Sequence, residues 1–151
     1  MKNVKGSFLA AIMILLMAPS EVLSQTLLVK LEQTKEISLF SQAIVNSGLD
    51  TELKDNATYT IFAPSNEVLE KEIGGKGYSD SKLRSFLLNH IITGWATEKN
   101  LKSMSKATSL GGISLKFAWE NDVLTINEAK ISKSNIKAEN GIIHVIDRVL
   151  K

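Results

Sequence analysis

Apolar residues recur three or four positions apart between Thr26 and Gly48. Leu27, Leu28 and Leu31 lead into Ile37, Phe40, Ala43 and Ile44. That spacing lines one face of a helix. Ser38 is a candidate N-cap for the second half, and Gly48 sits where a helix would end. The period then falls to two. Thr58-Tyr59-Thr60-Ile61-Phe62 alternates and is β-branched or aromatic, which predicts a strand, and Pro64 stops it. Ser65 can cap a short helix from Asn66 to about Lys71. Beyond the loop Gly74-Gly75-Lys76-Gly77 the helical period returns. It runs from a cap at Ser79 or Asp80 through Ile92, with Leu83, Phe86, Leu87 and Ile91 on one face.

After Gly94 the pattern is mostly that of strands. Thr97 to Leu101 predicts one helical turn, and Gly111-Gly112 a turn. Ile113 to Trp119 alternates as a half-buried strand, and Glu120-Asn121-Asp122 turns it into Val123 to Asn127. Short strands are expected at Ala129–Ile131 and Ile136–Ala138. Asn140-Gly141 then predicts a tight hairpin with positive φ angles. The run behind it is apolar at Ile142, Ile146 and Leu150 and also at Ile143, Val145 and Val149. A strand apolar on both faces is normally covered on both, so this one is expected to close the fold from its interior. Helices first and an antiparallel meander last indicate an α+β architecture. There is no internal repeat or low-complexity stretch.

Lys2 and Lys5 precede an apolar stretch from Phe8 to Ala18. It is shorter than the roughly 20 residues that span a bilayer and suits a secretory leader. Val22-Leu23-Ser24-Gln25 places the expected cut after Ser24. The reading is a signal peptide at 1–24 and one domain at 25–151, secreted to the extracellular space or periplasm, with no stable membrane span after cleavage. Zero cysteines then mean a core held by packing and not by disulfides, and no thiol chemistry. Loss of Lys2, Lys5 and Glu21 lowers the formal charge from +2 by one unit. No basic stripe of the kind nucleic acid requires is present.

Three segments together resemble one family. Thr60-Ile61-Phe62-Ala63-Pro64-Ser65-Asn66-Glu67 is similar to the first signature of fasciclin-like domains. Leu87-Leu88-Asn89-His90-Ile91-Ile92-Thr93-Gly94 is similar to the central, histidine-bearing one. Asn140-Gly141-Ile142-Ile143-His144-Val145-Ile146-Asp147 is similar to the closing one. Their order and spacing agree and span essentially the whole of 25–151. The resemblance implies a wedge of β-sheet packed with N-terminal and central helices. It also implies secretion or surface display, a role in adhesion and no enzymatic activity. Two positions depart from the pattern. Asn89 stands where tyrosine often precedes the histidine. Asn135-Ile136 stands where some animal members carry an aspartate-isoleucine pair, so the carboxylate of integrin-type recognition is missing.

The residues available for chemistry are few. His90 falls on the apolar face of its helix with no second ligand one turn away, so it is read as a core histidine satisfied by backbone and not as a metal or haem ligand. His144 and Asp147 lie three apart on a strand and point to opposite faces. A hydrolase built on Ser65 would need His90 or His144 as base, and no Gly-x-Ser-x-Gly is present. Gly74-Gly75-Lys76-Gly77 lacks the spacing of a phosphate loop. Asn66 is read as satisfying free N–H groups at a helix start. Asn56-Ala57-Thr58 is a glycosylation acceptor by pattern. Trp95 and Trp119 are read as core. The expected function is an interaction module, free of metal and cofactor, that binds an extracellular protein or polysaccharide, with weak self-association adding avidity. The alternative is a small-molecule carrier using a cleft near His90 and Trp95.

Overall fold

A computed structural model of the protein describes residues 25–54 and 57–151. The expected leader at 1–24 and the acceptor Asn56 lie outside them. The chain opens with α1 (Leu27–Gln33), capped by Thr26, whose hydroxyl accepts from the Val29 N–H. A 3-10 turn at Lys35–Ile37 leads into α2 (Ser38–Asn46) and then α3 (Leu49–Glu52). Gly48 sits between them at φ 74°, a left-handed position that glycine takes without cost. Next come β1 (Tyr59–Pro64), α4 (Asn66–Ile73), α5 (Asp80–Leu88), β2 (Ile91–Thr93) and α6 (Glu98–Ser103). The strands β3 (Lys106–Thr108), β4 (Ser114–Glu120), β5 (Val123–Ile126), β6 (Ala129–Ala138) and β7 (Gly141–Ile146) complete the order.

The seven strands form one sheet in the order β2-β1-β7-β6-β5-β4-β3, wrapped nearly into a barrel. β3 to β7 run as an antiparallel meander. β7 then lies parallel to β1, with Ile61 opposite Ile143 and Pro64 opposite Ile146. Every residue of β7 is buried, because a separate core covers each face. Ile61, Ala63, Ile143 and Val145 face the helices and pack with Leu27, Leu31, Phe40, Ile44 and Leu87. Phe62 and Ile146 face the curl of the sheet and pack with Leu101, Leu115, Phe117, Leu124 and Ile126. The closing strand is thus interior, as its two apolar faces predict.

Four local expectations are corrected. The helix expected to reach Ile92 ends at Leu88. Ile91 and Ile92 are β-branched and find partners in Ile61 and Thr60, so strand pairing wins over the helical period. The two short strands between Ala129 and Ala138 are one strand, β6, whose register against β7 shifts twice between Ile131 and Ile136, with Asn135 at φ 60°. Neither Asn140 nor Gly141 has positive φ; the turn falls on Glu139-Asn140. Glycine is needed at 141 for a different reason: a Cβ there would stand 2.3 Å from the Tyr59 carbonyl oxygen. Trp95 and Trp119 are not core residues; they are 42% and 39% exposed. Trp119 does continue the face of Leu115 and Phe117, but at the end of β4.

Candidate functional site

Pairing of β1 with β2 and β7 brings the three signatures side by side, and most of their hydrogen-bonded polar side chains are engaged by backbone. The Thr60 hydroxyl donates to the Gly94 carbonyl at 2.8 Å and accepts from the Ala96 N–H at 2.9 Å, tying the segment after β2 to β1. His90 is fully buried between Phe40 and Phe86. Its Nδ1 lies 2.8 Å from the Phe86 carbonyl, and its Nε2 accepts from the Leu150 N–H at 2.9 Å. His144 is stacked on Phe62. Its Nε2 lies 2.8 Å from the Ala96 carbonyl, and its Nδ1 accepts from the Asn135 N–H at 3.3 Å. Burial pushes the His90 pKa down to about 4, against the raising effect of the Phe86 carbonyl. Burial also lowers that of His144, against the Ala96 carbonyl and Glu98. Both rings are neutral at neutral pH, with each nitrogen engaged, so neither offers a free base or ligand.

The remaining signature residues act in the same way. Ser65 caps α4 by accepting from the Val68 N–H, which commits its oxygen to the helix. Asn66 serves the start of α2 and not its own helix. Its Oδ1 accepts from the Leu39 N–H at 3.0 Å, and its Nδ2 donates to the Lys35 carbonyl and the Ser38 hydroxyl. Ser38 is therefore not the side-chain cap; α2 is capped from α4. Asn140 accepts from the Leu27 N–H at 2.7 Å and donates to the Leu53 carbonyl. Asp147 is exposed past the end of β7 and accepts from the Lys130 N–H at 2.7 Å. It meets neither His144 nor Arg148, which pairs instead with Glu128. Ala63 and Pro64 are buried in β1. Among the described residues no group of three or more His, Asp or Glu side chains is placed to hold a metal ion, and no helix is long and apolar enough to cross a membrane.

The fasciclin domain profile matches residues 35–151. The chain belongs to the fasciclin domain family. Stabilin-2 of Rattus norvegicus is 34% identical over 83% of this chain and 9% of its own length. Transforming growth factor-beta-induced protein ig-h3 of Sus scrofa is 34% identical over 82% of this chain and 18% of its own. The chain thus spans a small part of these relatives. A protein of Plasmodium falciparum named heme ligase is 29% identical over 75% of this chain and 69% of its own. Among solved structures, a FAS1 domain pair from the insect cell adhesion molecule Fasciclin I superposes with a TM-score of 0.70 at 23% identity. That match covers 84% of this chain and 51% of that one.

Of the polar signature groups of this fasciclin domain, Thr60, His90 and His144 are buried, Ser65, Asn66 and Asn140 are half-buried and Asp147 is exposed. Concave regions of about 230 to 710 Å³ indent the described surface, and two of them adjoin residues discussed above. One, of about 710 Å³, is walled by Tyr78, Phe86 and Leu150 with Lys76, Lys82 and Lys151 at its edge. Its Phe86 touches His90, which is itself fully buried, and Trp95 does not line it. The other lies between α6 and the β4–β5–β6 sheet. There Glu98 bridges Lys102 at 2.8 Å and the Ser134 hydroxyl, and Lys102 sits 3.6 Å from the centroid of the Trp119 ring. The hydrogen bond from Lys102 and then that from Ser134 hold the Glu98 carboxyl below its usual pKa. Sequence reasoning missed Glu98, Lys102 and Ser134. Their only signal was the i, i+4 spacing of Glu98 and Lys102 on a short helix.

Proposed function

We propose that this fasciclin domain is a secreted interaction module that binds an extracellular protein or polysaccharide through its outer surface. The observation that carries this is the family match over residues 35–151, joined to two signature histidines whose ring nitrogens are engaged by backbone. The superposition on a domain of a cell adhesion molecule supports the same role. Residues 1–24 act as a cleaved leader, which delivers residues 25–151 outside the cytoplasm. The module is not an enzyme: Ser65 is committed as a helix cap, and both histidines are locked in neutral form. The heme ligase of Plasmodium falciparum is the relative that speaks against this, and His90 has no open coordination position with which to follow it. A single copy has no avidity, so weak self-association strengthens attachment. Asn56 carries a glycan where the source cell glycosylates.

The test is retention of purified residues 25–151 on arrays of matrix proteins and polysaccharides. Saturable retention on at least one surface is expected, and none on any surface would remove the reading. A second reading rests on the cleft beside Tyr78 and Phe86, whose volume suits a small organic ligand and whose lining offers Lys76 and Lys82, with Lys151 paired to Glu72 at 2.7 Å. Co-purification of such a ligand, lost in Tyr78→Ala, is its expected sign.

A further inference from the structure

A polar cavity of about 230 Å³ opens between α6 and the sheet, walled by Glu98, Trp119, Asp122, Ile131, Ser132 and Ser134. Each wall is brought there by a distinct feature. Trp119 continues the core-facing side of β4 past the buried Phe117, so its indole stays part-exposed. Lys102 sits over one face of the ring from α6 and is not itself a wall of the cavity, which Trp119 lines. Glu98 is aimed from the first turn of α6, whose Glu98 N–H is held by the Asn135 side chain at 2.9 Å. Ser132 and Ser134 come from the stretch of β6 where the register shifts twice, an irregularity of the kind that re-aims side chains. Asp122 projects from the β4–β5 turn at φ 61°.

Tryptophan is on average a well-buried residue, and one left beside a concave polar surface offers a flat apolar body next to hydrogen-bonding groups. A pyranose ring presents the complement: one face of C–H bonds and a rim of hydroxyls. The face stacks on an indole, and the rim donates to carboxylates. The cavity is smaller than the roughly 300–1,000 Å³ of sites for drug-sized ligands, which limits it to about one ring. Its lining and the adjacent Lys102 carry two carboxylates against one ammonium, which disfavours an acidic sugar.

We propose that the cavity between Trp119 and Glu98 binds one neutral pyranose unit of an extracellular polysaccharide, a proposal that rests on the interaction-module reading and names its partner. The chain has two tryptophans, so Trp95→Phe leaves Trp119 as the single indole reporter. Fluorescence titration of Trp95→Phe with cellopentaose, mannopentaose and galactopentaose, and with oligogalacturonate as the acidic arm, reads the site directly. A saturable change in Trp119 emission is expected with at least one neutral oligosaccharide and none with oligogalacturonate. Calorimetry should show Trp119→Ala weakening that binding by about tenfold or more. Asp122→Asn, an exposed turn substitution, should weaken it several-fold at an unchanged melting temperature, so the test survives if Trp119→Ala folds poorly. Unchanged affinity in Asp122→Asn, unchanged affinity in a folded Trp119→Ala, binding of oligogalacturonate alone, or no binding of any oligosaccharide would each overturn the proposal. Retention on matrix proteins in those cases would leave the interaction-module reading standing. Retention on neither proteins nor glycans would sink both.

Discussion

At His90 the proton sits on Nδ1, facing the Phe86 carbonyl, and at His144 it sits on Nε2, facing the Ala96 carbonyl. In each ring the other nitrogen accepts a backbone N–H, from Leu150 and Asn135 respectively, and that fixes the tautomer. A doubly protonated ring would break the accepting bond. His90 is held at about 4 from an ordinary 6.5, so between those values the unfolded chain binds a proton that the folded chain does not. Its contribution is full above pH 6.5 and is lost as pH falls through 4, about 3 kcal/mol in all. His144 acts in the same direction. Melting temperature should fall steadily across that window and fall less steeply in His90→Gln; parallel profiles would refute the assignment. Asn66 gives a second residue-scale test. Its side chain serves three groups at the start of α2, whereas Ser38 is not the side-chain cap. Asn66→Ala should cost about 1 kcal/mol in chemical denaturation and Ser38→Ala less.

Among the elements, β7 shows most clearly what the sequence could and could not reveal. Two interleaved apolar sets marked it as covered on both faces, and both cores are there. Its parallel seat beside β1 was not legible, because alternation records burial and carries no information on the neighbour. The same limit hid β2. Ile91 continues the helical apolar face of α5, and only the presence of β1 alongside turns Ile91 and Ile92 into a strand. Asn140-Gly141 was legible as important but for the wrong reason. The glycine is required by close approach to β1, with Leu27 side-chain atoms at 3.1 Å behind the Tyr59 carbonyl. Gly141→Ala should therefore push β1 and β7 apart and cost about 2 kcal/mol or more. A neutral effect in a denaturant melt would mean that the two strands are not held at this spacing. The Trp119 cavity was invisible for a similar reason: its walls come from α6, β4, the β4–β5 turn and β6, and no run of residues carries their juxtaposition. Trp119 read as core from its alternation with Phe117, since a period of two does not show where the cover ends.

Across the whole molecule, the signature residues join a helical core to a curled-sheet core through one shared pair of strands, and the exterior is left for contact. The groups that look most like chemistry in the sequence, His90, His144 and Ser65, are each bonded to backbone. Native-state hydrogen exchange reads this division residue by residue. Strands common to both cores cannot open without disrupting both, so their amides should exchange only through global unfolding. The amides of Ile143, His144 and Val145 in β7, with Phe62 and Ala63 in β1, should share the highest protection, equal to the stability found by denaturant melting. Exchange of the β7 amides through a local opening, while α2 and β5 stay protected, would contradict this division.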